Sequence, residues 1–105
     1  MNSQRKGACG ERELLAILQA HDIPAHRNIQ RYVGGRNNPD ISAEFHGRKL
    51  HIEVKRRERL DLRAAINQAV SDADGKAFPV VIHRSSRQPW LVTCRLDDLF
   101  KEVDG

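Results

Sequence analysis

Long apolar runs are missing from this sequence. No stretch of its 105 residues approaches the roughly 20 apolar residues that cross a bilayer, so a membrane-spanning helix is excluded. The opening stretch "MNSQRKGACGERE" has no apolar core and is not a secretory signal. The expectation is a cytoplasmic, intracellular protein with no membrane partner. Cysteine is scarce too. Cys9 and Cys94 stand far apart and form no CxxC pair, which predicts two reduced thiols without a special role. The five histidines (21, 26, 46, 51 and 83) lack zinc-ligand spacing, which argues against a structural zinc site. Repeats and low-complexity segments are absent. The length supports one domain, 1–105, with a modest core.

What the sequence does have is charge. Charged residues make up 30% and apolar residues 39%, the balance of a globular domain, and the net charge is +4. The basic surplus is unevenly placed. Arg27, Arg31 and Arg36 precede the stretch "NPDISAEFHGRKLHIEVK" (38–55), and Arg56, Arg57 and Arg59 follow it directly. This is either a solvated basic surface or a phosphate-binding rim around one end of that stretch.

The spacing predicts a first helix over 7–21, with Leu14, Leu15 and Leu18 on one stripe, ended by Asp22 and Pro24. A short strand over 25–29 and a flexible Gly-rich loop, "RYVGGRNNP", follow. Residues 61–74 suit a second helix, with Asp61 as N-cap and Gly75 as its stop. "PVVIH" (79–83) reads as a strand buried on both faces, and "WLVTC" (90–94) as another, with Trp90 in the core. "LDDLFKEV" puts Leu96, Leu99, Phe100 and Val103 on one helical face, which either packs onto the chain's own sheet or forms a dimer interface. The order is α-β-β-β-α-β-β-α, an α/β (α+β) chain with a mixed sheet flanked by helices.

The stretch 38–55 reads as a hairpin. Ile41, Ala43 and Phe45 alternate with Asp40, Ser42 and Glu44; Leu50, Ile52 and Val54 alternate with His51, Glu53 and Lys55. A turn centred on His46 and Gly47 pairs Phe45 with Arg48, so Asp40 falls opposite Glu53. Side chains directly opposite have Cβ atoms about 4.5–5.5 Å apart, and like charges there repel. Lys55, two residues beyond Glu53 on the same face, offsets part of this. A divalent cation would offset more, because hard cations take carboxylate oxygens. The alternative is a surface hairpin with an incidental Glu–Lys pair.

Glu11 lies three, four and seven residues before the leucines of the first stripe, so it faces the core, where a carboxylate is costly unless paired or metal-bound. Its alternative reading is a first-turn acid that suits the helix dipole. Glu13, off the stripe, reads as solvent-facing.

With Glu11, Asp40, Glu53 and Lys55 together, the chain resembles the PD-(D/E)XK nucleases, through "NPD" and "EVK". More specifically it resembles Holliday-junction-resolvase-like nucleases of archaeal and phage type. The opening "KGACGEREL", an arginine after the first helix (Arg27), the Gly-rich loop, the hairpin and "FPVVIHRSSRQPWLVT" carry that likeness over nearly the whole chain. The resemblance implies a restriction-endonuclease-like core and phosphodiester hydrolysis with Mg²⁺, for which Mn²⁺ would substitute. It implies Asp40 and Glu53 as metal ligands, Glu11 as a further acid reaching the metal directly or through water, and Lys55 as the residue that activates the attacking water. The carbonyl of Val54 is a plausible third ligand. Gln68 stands where related nucleases often carry a glutamine, with a solvent-facing amide as its alternative. Lys6, Arg12, Arg27, Arg31, Arg36, Arg56, Arg57 and Arg59 are expected to grip DNA phosphates, contacts that position without reading sequence. Tyr32 is a candidate for stacking on an unpaired base. Cutting a four-way junction symmetrically implies a homodimer on branched or double-stranded DNA. The competing readings are a same-fold nuclease acting on flaps, a nucleic-acid-binding module without the chemistry, and a small basic interaction protein.

Overall fold

The computed structural model describes residues 3–29, 32–33 and 36–101. Helix α1 (Ser3–Ala20) leads into strand β1 (Ala25–Arg27) and a two-stranded ribbon, β2 (Tyr32–Val33) with β3 (Arg36–Asn37). The hairpin β4 (Ile41–Phe45) and β5 (Arg48–Arg56) follows, then helix α2 (Leu62–Ala73). Strands β6 (Phe78–Arg84) and β7 (Leu91–Thr93) and a single turn of helix, α3 (Leu96–Leu99), complete the order. The main sheet runs β1-β4-β5-β6-β7; only β5 and β6 are parallel, joined across the sheet by α2. With the ribbon β2–β3 set aside, this is the expected mixed sheet and element order. Among the described residues no helix is long and apolar enough to cross a membrane.

The hairpin has the predicted register: Phe45 pairs with Arg48, Ala43 with Leu50 and Ile41 with Ile52. His46 and Gly47 both take positive φ (51° and 77°), the backbone of a tight turn matched to strand twist. The alternation then sorts side chains onto two faces. Ile41, Ala43, Ile52, Val54, Val80 and Ile82 face α1 and pack with Leu14. Val81 faces α2 and packs with Ala65, Ile66 and Ala69. Small residues on α2 let it lie close to the sheet, so β5 is buried on both faces rather than one. Asp61 caps α2 as expected, its carboxylate accepting from the Ala64 N–H at 3.0 Å. Gly10 has a steric reason: a Cβ there would stand 3.2 Å from the Cβ of Arg56, so the glycine sets how close α1 approaches β5.

Four expectations change. Within the Gly-rich loop, Tyr32–Val33 and Arg36–Asn37 pair as a ribbon. Trp90 precedes β7 rather than lying on it, and is half-buried against the α1-side core. Helix α3 stops at Leu99, and its buried side chain is Asp98, fixed by Arg95 (2.8 and 3.1 Å). Leu96, Leu99 and Phe100 stay exposed, so that stripe does not pack onto its own sheet. Val103 lies outside the described residues. Cys9 and Cys94 are free thiols, as expected.

Candidate active site

Asp40 sits one residue before β4, and the register that pairs Ile41 with Ile52 carries it beside Glu53. Both acids are buried, 6% and 8% exposed, and Asp40 lies close enough for its charge to act on the Glu53 carboxyl. The Asp40 Oδ2 accepts from the Val54 N–H at 2.9 Å. The preceding loop is pinned by Asn28, whose amide donates to the Pro39 carbonyl (3.0 Å) and Ser42 Oγ (2.9 Å), while its backbone N–H donates to the Asp40 carbonyl. Burial, together with the charge of Asp40, pushes the Glu53 carboxyl above the ordinary carboxylate range; a hydrogen bond from His51 pulls partly the other way. Lys55 is half-buried on the Glu53 face and makes no hydrogen bond or ion pair among the described residues.

Glu11 is buried, as its place on the stripe predicts, and pairs with Arg27 Nε at 3.4 Å. It comes from α1, on the face of Ile52 and Val54, and is tied to the Asp40 loop through Arg27 and its neighbour Asn28. Gln68 meets the site through Asp72, which lies beside His51 and Glu53. It is exposed on α2 and donates to Asp72 Oδ2 at 2.7 Å.

Two residues at the site were not singled out from sequence. His51 Nε2 lies 3.0 Å from Glu53 Oε1, and Asp72 reaches over from α2, so that one donor atom from each of His51, Glu53 and Asp72 lies within 4.8 Å of the others. His51 was detectable as a residue two before Glu53, hence on its face. Asp72 had no signal, because it depends on how α2 crosses the sheet.

The donor set fits a hard divalent cation. Two buried carboxylates in contact repel one another, and oxygen donors at a strand end are what such an ion takes.

The basic end is built differently from the expected rim. Arg56 pairs with Arg84 at the parallel ends of β5 and β6. Glu13, expected in solvent, instead accepts from Arg84 (2.7 Å) and the Trp90 indole N–H (3.1 Å) and lies 3.8 Å from Arg56 Nε. Two arginines converging on one strand end need an acid between them, which the helical stripe alone did not reveal. Arg12, Arg57 and Arg59 are exposed, while Arg27 is engaged with Glu11. Arg36 lies on β3; the side chains of Lys6, Tyr32 and Arg36, and the whole of Arg31, lie outside the described parts.

No protein-family model and no curated protein matches the chain. Among solved structures it is similar to Archaeoglobus fulgidus Hjc, a Holliday junction resolvase from an archaeal hyperthermophile, at 32% identity and a TM-score of 0.67. The likeness covers 83% of this chain and 75% of that one. With the acidic pair, the lysine beside it and this match, the chain belongs to the Holliday-junction-resolvase-like nucleases of the PD-(D/E)XK superfamily.

Proposed function

We propose that the protein is a structure-selective DNA endonuclease that hydrolyses phosphodiester bonds at four-way junctions. The observation that carries this is the buried contact of Asp40 with Glu53, with Lys55 on the same face. The resolvase activity of the similar Archaeoglobus protein supports the substrate. Asp40 and Glu53, with the Val54 carbonyl, would hold Mg²⁺ or Mn²⁺; Glu11 would reach it directly or through water. When bound, the ion would polarise the scissile phosphate and acidify water.

The chain's own groups do the rest. A water oxygen bonds to phosphorus as the bond to a sugar oxygen breaks, and negative charge builds on the phosphate. The Lys55 ammonium, held half-buried beside Glu53, faces that charge in a site of low dielectric, where it counts for more than in water. The exposed Arg12, Arg57 and Arg59 would take flanking phosphates, with selection by shape rather than base sequence. Leu99, on a groove of about 450 Å³ also lined by Phe45, Val92 and Cys94, and the exposed Leu96 and Phe100 support a homodimer that would bring two sites to one junction.

The test is a cleavage panel: labelled four-way junction, flap and linear duplex, with Mg²⁺ and then with chelator. Junction nicked at paired symmetric positions, only with the ion and not by Asp40→Asn, is the expected result. Cleavage confined to flaps would move the substrate to another branched DNA. Intact DNA throughout would leave a binding module.

A further inference from the structure

His51 is an odd residue for its place. It sits mid-strand in β5, 3% exposed, flanked by Ser42 on β4 and Pro79 on β6. An imidazole there is costly unless hydrogen-bonded. Its partner is Glu53: Nε2 lies 3.0 Å from Oε1, and the two residues share a face because they are two apart in a strand. A carboxylate that holds a cation is ionised and only accepts, so with Glu53 as such a ligand the ring nitrogen that meets it carries the proton.

The geometry points to His51 as a positioning residue for Glu53: its Nε2–H holds Oε1, fixing the carboxylate rotamer so that Oε2 is the oxygen offered to the divalent cation beside Asp40. The Val54 N–H does the same for Asp40, by holding Oδ2 at 2.9 Å. Each acid of the pair is therefore anchored through one oxygen by an N–H of β5. Asp72, with Gln68 donating to it, closes the far side of the imidazole and Glu53 group. Groups that orient a metal-binding carboxylate in this way typically change metal affinity about 10–100-fold when removed.

This inference rests on Glu53 being a cation ligand, and its test separates the two. Mn²⁺ alone is titrated into the protein without DNA, and free Mn²⁺ is read by electron paramagnetic resonance. His51→Leu, which removes the donor, is expected to weaken Mn²⁺ binding about 10–100-fold. His51→Gln, whose amide can still donate, is expected to recover most of that loss. Asp40→Asn and Glu53→Gln are expected to lose the site. If His51→Leu binds as the wild type does while Glu53→Gln does not, the positioning role is wrong and the cation site stands. If Glu53→Gln and Asp40→Asn also bind like the wild type, the cation site is wrong and His51 falls with it. Nitrogen coupling from His51 in the Mn²⁺ spectrum would make the imidazole a ligand and overturn the inference. Should His51→Leu fold poorly, the ring ¹⁵N shifts of the wild type decide: the Nε2–H tautomer is expected, and the Nδ1–H tautomer overturns it.

Discussion

Asp40 and Glu53 meet because one tight turn fixes the register of a whole hairpin, and Lys55 follows two residues later on the same face. In the proposed mechanism, Lys55→Ala removes an ammonium that faces charge only as it develops. Cleavage should fall by about 100- to 1000-fold, while junction affinity measured with Ca²⁺ changes little; loss of both together would make Lys55 a binding residue. Glu53 gives a pH prediction. Burial and Asp40 raise its pKa in the fold, so the cation-free fold holds that proton more tightly than the unfolded chain does. The resulting stability is fully present below the ordinary carboxylate pKa and is lost as pH rises through the raised one. Melting curves in chelator should therefore shift down over that window, and Glu53→Gln should flatten the shift. These residues were legible in the sequence because hairpin contacts are local. Asp72 and the role of Glu13 were not, since each depends on where a helix lands on the sheet. Gln68 was legible only as a helical polar residue, and the structure ties it to Asp72, which stands beside His51 and Glu53.

Elements with strong local signals took their expected form. The 3.6-residue stripe of α1 and the period-two arm of β4 agree with burial and Asp61 caps α2, while β5 keeps its alternation but is buried on both faces. The short pieces did not. Ribbon β2–β3 has two residues a side, too few for a periodic signal, and α3 is a single turn whose apolar residues stay largely exposed among the described residues. The hairpin turn gives the element-level prediction. A Cβ at Gly47 would meet no atom within 4 Å, so the cost of Gly47→Ala comes from φ alone. It should destabilise the fold by about 1–2 kcal/mol in urea unfolding with the slope unchanged. A neutral result would mean that the hairpin turn relaxes freely.

At the scale of the whole molecule, α1 covers only part of its sheet face. Beyond it Phe45, Val92 and Leu99 line one groove and are exposed, and Leu96 and Phe100 are exposed at the two ends of α3. The sequence offered Leu96, Leu99 and Phe100 as a stripe, but whether their own sheet would cover them depended on the length of α3, which no local pattern fixed. Phe100→Glu should shift the sedimentation coefficient from dimer to monomer and leave Mn²⁺ binding intact; an unchanged coefficient would put the dimer contact elsewhere. The basic end and the open apolar face serve a nuclease only if the buried acids share an ion. Calorimetric titration of Mg²⁺ into the wild type, Asp40→Asn and Glu53→Gln, without DNA, measures that directly. Binding by the wild type that vanishes in both variants is the expected outcome. Equal heats from all three proteins, or none from the wild type, would show that Asp40 and Glu53 are only two neighbouring buried acids and no cation site.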